Sequence, residues 1–191
     1  MSLALKLEEK YSYGDYSAWP EEERWELIEG VPFAMSPAPT REHQKLFRKI
    51  FVPIANYLEN KSCEVYGAPF DVRLPEKNER DEEVVTVVQP DILVVCDEKK
   101  LDKKGCRGAP DLIIEIISPG TAYKDAQIKL NLYEKHGVKE YWMVYPEEKI
   151  VMVFCLNSEN KYGKPETYSI ENTLKTNILP GFELNLATVF E

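Results

Sequence analysis

The sequence predicts an α/β (α+β) fold, a mixed central β-sheet flanked by helices, in a single domain spanning residues 1–191. Three observations predict it. Apolar, β-branched runs at 84–96, 109–119 and 138–146 read as buried strands. Leu46, Phe47, Ile50, Phe51, Ile54, Tyr57 and Leu58 recur at helical spacing. A second helical stretch, Thr121 to His136, separates two of the strand runs, so strand, helix and strand should form a right-handed crossover.

Taken in order, the region around residues 12–23 reads as a short capped helix or turn. Residues 26–29 and 31–36 are two short strands, and the Glu29-Gly30 step between them marks a tight hairpin. Thr40 is placed to cap the long helix, and Pro53 should kink it. Residues 63–74 alternate as a strand with a Gly-Ala-Pro bend. Glu76–Glu83, five acids against two bases, should be a solvated loop or hairpin tip. Asp97–Gly108 reads as a loop. Gly137 ends the second helix as its left-handed cap. Residues 149–156 and 164–170 are expected as outer hairpin strands, before an extended tail and a final helical turn.

A chain of 191 residues can bury one full core and is short for two. No apolar run approaches the roughly 20 residues that span a bilayer, and residues 1–10 carry no signal-peptide pattern, so we expect no membrane partner and a cytoplasmic location. Cys63, Cys96, Cys106 and Cys155 make no Cys-x-x-Cys pair, which points to reduced structural thiols rather than a zinc ribbon or disulfide scaffold. With only His43 and His136 available, a His-rich zinc site is excluded. The net charge of −9 argues against general nucleic-acid binding, which depends on cations that neutralise phosphates. It leaves room for an enzyme that touches DNA through a local patch, and metal-binding carboxylates themselves add negative charge.

Two predicted strands carry acids among Ile, Leu and Val: Asp91 in the first, Asp111 and Glu115 in the second. A carboxylate in such surroundings is paired, sits at a strand end, or holds a cation. Strand alternation puts Asp111 and Glu115 on one face, but roughly 13 Å apart. Asp91, on an adjacent strand about 4.8 Å away, is the better partner for Glu115. On the helix, Asp125, Lys129 and Tyr133 form one row at i, i+4 and i+8, which lets Lys129 reach toward Glu115. Each residue has a structural alternative. Asp91 can cap a backbone N–H, Lys129 can simply pair with Asp125, and Asp111 suits a strand start.

The Pro90-Asp91 step followed by Glu115 in a hydrophobic strand resembles the PD-(D/E)XK nuclease superfamily. Ile117 stands where that superfamily places its lysine, and Lys129 on the following helix is positioned to replace it. Residues 23–44, 89–121 and 123–146, including Gly137-Val138-Lys139-Glu140-Tyr141-Trp142, resemble the Uma-type putative restriction endonuclease family over nearly the whole chain. The resemblance implies a restriction-endonuclease-like core. It implies that Asp91 and Glu115 ligate Mg²⁺ or Mn²⁺, that Lys129 is a displaced catalytic lysine oriented by Asp125, and that Glu26 and His43 approach the same site. A surface strand acid is the alternative for Glu26, and a helix-cap role for His43.

The function expected is metal-dependent hydrolysis of DNA phosphodiester bonds. Lys99, Lys100, Lys103, Lys104 and Arg107 would offer DNA a basic loop, with a merely solvated loop as the alternative. The competing readings are a nuclease-like protein that binds or assembles without cutting, and a phosphoesterase of small nucleotides. Exposed outer strands at 149–156 would suit a homodimer.

Overall fold

The computed structural model describes residues 9–20, 24–35, 38–120 and 124–191. It opens on α1 (Tyr13–Tyr16), one turn capped reciprocally by Ser12 and Asp15. The end of the capped region expected around 12–23 lies outside the described residues. β1 (Trp25–Ile28) and β2 (Val31–Ala34) form the expected hairpin. Its turn residues Glu29 and Gly30 take φ of 50° and 82°, the left-handed pair whose twist suits a two-residue connection. α2 (Arg41–Leu58) starts at Thr40, whose hydroxyl accepts the His43 N–H, and it continues through Pro53. Leu46, Ile50, Ile54 and Leu58 form its buried stripe.

β3 (Glu64–Gly67), β4 (Val72–Arg73), β5 (Val87–Val88), β6 (Ile92–Val95), β7 (Leu101–Asp102), β8 (Gly105–Arg107) and β9 (Leu112–Ile116) follow. A π-helical turn, Lys124–Lys129, leads into α3 (Leu130–His136), which ends on Gly137 in the left-handed conformation. β10 (Glu140–Tyr145), β11 (Ile150–Cys155), β12 (Glu166–Ser169), β13 (Thr173–Lys175), β14 (Glu183–Asn185) and α4 (Leu186–Phe190) complete the chain.

The central sheet runs β12-β11-β10-β9-β6-β3. It is mixed: β9 and β10 are parallel, with α3 between them in sequence, and the other pairs are antiparallel. A second sheet runs β2-β1-β5-β4-β8-β7, and β13 with β14 makes a small ribbon. Three expectations about the strands change. The run 84–96 is two strands, not one. Pro90 supplies no N–H to the ladder, which breaks there, and β5 and β6 enter different sheets. Asp97–Gly108 is not simply a loop but contains the β7–β8 hairpin. Finally, β11 is an interior strand, while β12 and β3 are the sheet edges, so the ground given for a dimer at 149–156 falls away.

Strand alternation sorts the core. Leu112, Ile114 and Ile116 pack with Leu46, Ile50 and Ile54 of α2 and with Leu186 and Val189 of α4. Ile113 and Ile117 pack on the other face with Leu132 and Tyr133 of α3 and with Val72 and Val88 of the second sheet. At about 1.5–3 kcal/mol for each large apolar side chain fully buried, these two layers supply the main force fixing α2 and α3 on opposite faces. The cysteines differ from expectation. Antiparallel register pairs Glu64 with Val95, so Cys63 and Cys96 stand directly opposite each other, and they are joined as a disulfide. Cys106 and Cys155 are free thiols. Among the described residues, no helix is long and apolar enough to cross a membrane.

Candidate active site

The break at Pro90 positions the site. β6 pairs with β9 through Ile92–Ile114 and Leu93–Ile113, so the same register places Asp91 opposite Glu115 at the sheet end. The Asp91 N–H points at Glu115 Oε2, 3.4 Å away, and Asp91 Oδ2 accepts the Ile116 N–H at 2.8 Å. Asp91 thus does cap a backbone N–H, as its structural alternative foresaw. Its Oδ1 takes no part in these bonds, and the residue is half-buried. Glu115 is buried.

Lys129 comes from the opposite side of the cluster. Its Nζ lies 2.8 Å from Glu115 Oε1, 2.8 Å from Glu26 Oε1 and 3.7 Å from Asp125 Oδ1. Tyr133, one turn later, donates to Glu115 Oε1 at 3.0 Å. Glu26, fully buried on β1, also accepts the Gln89 N–H at 3.0 Å and the Lys124 ammonium at 2.6 Å. His43, on the first turns of α2, places Nε2 3.2 Å from Asp91 Oδ2. All six residues singled out from the sequence therefore meet here: Asp91, Glu115, Lys129, Asp125, Glu26 and His43.

Lys124 and Gln89 were not singled out. The 3.6-residue period hides Lys124, because residues five apart point in different directions on an α-helix. In the π turn that spans Lys124–Lys129 the repeat lengthens, and both lysines reach Glu26. Gln89 acts through its backbone N–H, which no sequence pattern advertises. Asp111 has the strand-start role expected of it, accepting the Cys96 N–H at 2.8 Å and the Lys139 ammonium at 2.6 Å.

Burial governs the electrostatics. It pushes the Glu115 carboxyl up to about 8, and Asp125, Asp91 and Glu26 add to the rise against the opposing pull of Lys129. For Glu26, burial also acts upward, but Lys129 and Lys124 outweigh it and hold the carboxyl below the usual range. Burial pulls Lys129 down, and Glu115, Glu26 and Asp125 more than reverse this, so the ammonium stays charged. Tyr133 is held protonated by burial and by the neighbouring acids. Of the two buried glutamates, Glu115 is the more ready to take up a proton.

Glu26, Glu115 and Asp125 surround the Lys129 ammonium, Glu26 also holds Lys124, and Asp91 lies against Glu115. Among the described residues, no three of His, Cys, Asp and Glu converge as a ready-made metal cage. Mg²⁺ does not need one. It is commonly held by one or two carboxylates, with waters and substrate phosphates completing the shell. The carboxylates of Asp91 and Glu115, at paired strand positions, fit that mode of binding when Glu115 is ionised.

These residues line a cleft of about 540 Å³, whose wall also includes Arg24, Gln44 and Phe47. The basic segment is elsewhere: β7 and β8 lie at the far edge of the second sheet from β1. Three of its cations are also engaged locally. Lys104 and Arg107 pair with Asp81, and Lys100 donates to the Ala109 carbonyl. These ties hold Lys100, Lys104 and Arg107 close to the hairpin's own surroundings.

A family model described as Uma2, putative restriction endonuclease, matches residues 13–187. An uncharacterized protein of Synechocystis sp. is 25% identical over 137 residues, covering 71% of this chain and 68% of that protein. The crystal structure of a putative nuclease belonging to DUF820 from Anabaena variabilis superposes with a TM-score of 0.74. That likeness covers 94% of this chain and 97% of the other at 18% identity, and at such identity it is one of fold.

Proposed function

The chain belongs to the Uma2 putative restriction endonuclease family, and on that footing we propose that it is a metal-dependent endonuclease hydrolysing phosphodiester bonds in DNA. One observation carries the reading. Asp91 and Glu115 stand opposite each other at the end of a sheet, with the Lys129 ammonium 2.8 Å from Glu115. Asp91 and Glu115 would hold Mg²⁺ or Mn²⁺. When bound, the ion would polarise the phosphoryl oxygen and lower the pKa of a coordinated water.

The chain's own residues divide the rest. Lys129 orients the attacking water and offsets negative charge that develops on the phosphoryl group. Glu26 and Asp125 fix that ammonium from two further directions. His43 and the Ile116 N–H hold Asp91 Oδ2, leaving Oδ1 for the ion.

A second reading is a nuclease-like protein that binds nucleic acid or assembles without cutting. The observation that favours it is the burial of Lys129, only 3% exposed and already shared by three carboxylates. Plasmid cleavage with Mg²⁺ or Mn²⁺ separates the two, run on wild type, Asp91→Ala and Lys129→Ala. We expect nicking by wild type and at least a hundredfold loss in each variant, a factor typical of removing a transition-state contact. Equal activity in all three would place the chemistry elsewhere, and no cutting under either metal would favour the non-cutting reading.

A further inference from the structure

We propose that the cleft accepts an unpaired nucleotide, with its base laid against the Phe47 ring and its phosphate at Asp91 and Glu115, so that the substrate is single-stranded or locally opened nucleic acid. The inference rests on the nuclease reading and names its substrate class. α2 presents Thr40, His43, Gln44 and Phe47 to the cleft, spaced as one helical face. His43 reaches Asp91, and Phe47 is one turn further along. The ring and the Asp91 main chain flank a single backbone position. A Cβ at Gly67 would lie 2.5 Å from Phe47 Cζ and 3.5 Å from the Asp91 carbonyl oxygen. Phe51 stacks on Phe47 with centroids 5.2 Å apart and planes 15° from parallel. The absent side chain at Gly67 leaves room for the ring against the end of β3, and the stack with Phe51 holds it there, in the wall of the cleft that Asp91 also lines.

Pro39, Ala68 and Pro69 continue this apolar wall, while Arg24 and Lys124 supply cationic groups to the same cleft. A duplex presents phosphates and sugars outward and keeps its base faces stacked, so it offers an aromatic wall little to bind. An unpaired nucleotide offers both parts, and base-on-aromatic stacking tolerates any sequence. The cleft volume of about 540 Å³ suits a single small ligand rather than a double helix. A net charge of −9 weighs more heavily against a duplex, with its denser phosphate charge, than against a single strand.

The test is fluorescence anisotropy with a labelled single strand of about 12 nucleotides and with its duplex, in Ca²⁺ to limit cutting. We expect the single strand to bind at least tenfold more tightly. Phe47→Leu, which keeps apolar bulk but removes the ring, should weaken that binding roughly five- to a hundredfold, and Phe47→Trp should restore it. Melting by circular dichroism checks that the variants fold. A 2-aminopurine base in the strand should be quenched by wild type and not by Phe47→Leu. Duplex binding as tight as single-strand binding, or no effect of Phe47→Leu in a folded protein, overturns the inference. Plasmid nicking that spares single strands overturns it and leaves the nuclease reading intact. Single-strand binding with no cutting under any metal supports it and removes the nuclease reading.

Discussion

Lys124 and Lys129, five residues apart on a π-helical turn, both place their ammonium groups on Glu26, at 2.6 Å and 2.8 Å. An α-helix would rotate one of them away. π turns recur at functional sites because the widened turn re-aims side chains that regular geometry would not bring together. Here it lets one buried acid on β1 bind two lysines, and so couples the hairpin of the second sheet to the helix above the first.

The two lysines should differ in what they cost to remove. Lys129 is 3% exposed and serves Glu26, Glu115 and Asp125, so Lys129→Ala leaves buried carboxylates uncompensated and should cost about 3–5 kcal/mol. Lys124 is 15% exposed and among the described residues pairs with Glu26, which Lys129 continues to hold, so Lys124→Ala should cost about 1 kcal/mol. Urea unfolding of both variants measures the difference, and equal losses would contradict the shared-anchor geometry.

Asp91 separates fold from metal. Asp91→Asn keeps an oxygen to accept the Ile116 N–H at 2.8 Å but removes the charge. Stability should change by no more than about 1 kcal/mol, while Mn²⁺ affinity should fall on the order of 10–100-fold or more. Isothermal titration calorimetry with Mn²⁺ on the folded variant reads this directly. Unchanged affinity would remove Asp91 from the ligand set.

How much of this was legible depends on which physical rule placed each residue. Period two along residues 111–117 already put Glu115 on the face away from Leu112, Ile114 and Ile116, and the closeness of adjacent strands favoured Asp91 over Asp111 as its partner. The α2 stripe and its Thr40 cap were legible for the same reason: helical period and cap chemistry are local. The split of 84–96 into two sheets was not, although Pro90 carried the signal, because β-branched residues on both sides read as continuous. The Cys63–Cys96 bridge was hidden by a separation of 33 residues that only strand register resolves. Lys124 was hidden by assuming an α-helical period where the chain takes a π turn.

Glu115 makes the site pH-dependent. Burial raises its carboxyl from 4.5 to about 8. With the folded value above the unfolded one, the stability it contributes is complete below about 4.5 and is lost as pH rises through about 8. A metal ion needs the carboxylate, so Mn²⁺ affinity should move oppositely, rising with pH up to about 8, with proton release on binding. Mn²⁺ should therefore restore stability most at the alkaline end. Thermal melts from pH 5 to 9 with and without Mn²⁺ test this, and Glu115→Gln should flatten both trends. A metal-induced gain that does not grow with pH would mean that Glu115 is already ionised throughout.

The Gly137–Trp142 run, the most distinctive stretch of the sequence, has mainly structural roles, and they divide by strand face. Glu140 is buried, and its two oxygens accept the Trp142 indole N–H at 2.6 Å and the Thr176 hydroxyl at 2.9 Å, which ties β10 to the segment after β13. Glu140→Ala leaves both donors without that acceptor and should cost about 2–4 kcal/mol. Glu140→Gln retains one acceptor oxygen and should cost less than half as much. Tyr141 faces the other way, and its hydroxyl donates to the Asp125 carbonyl inside the π turn at 3.2 Å. Tyr141→Phe should cost about 1 kcal/mol of stability yet lower any metal-dependent cleavage several-fold, because it loosens the turn that aims Lys129. Denaturation and cleavage measured on the same three variants distinguish the roles: the Glu140 changes should track stability alone, and Tyr141→Phe should lower activity more than its stability loss explains.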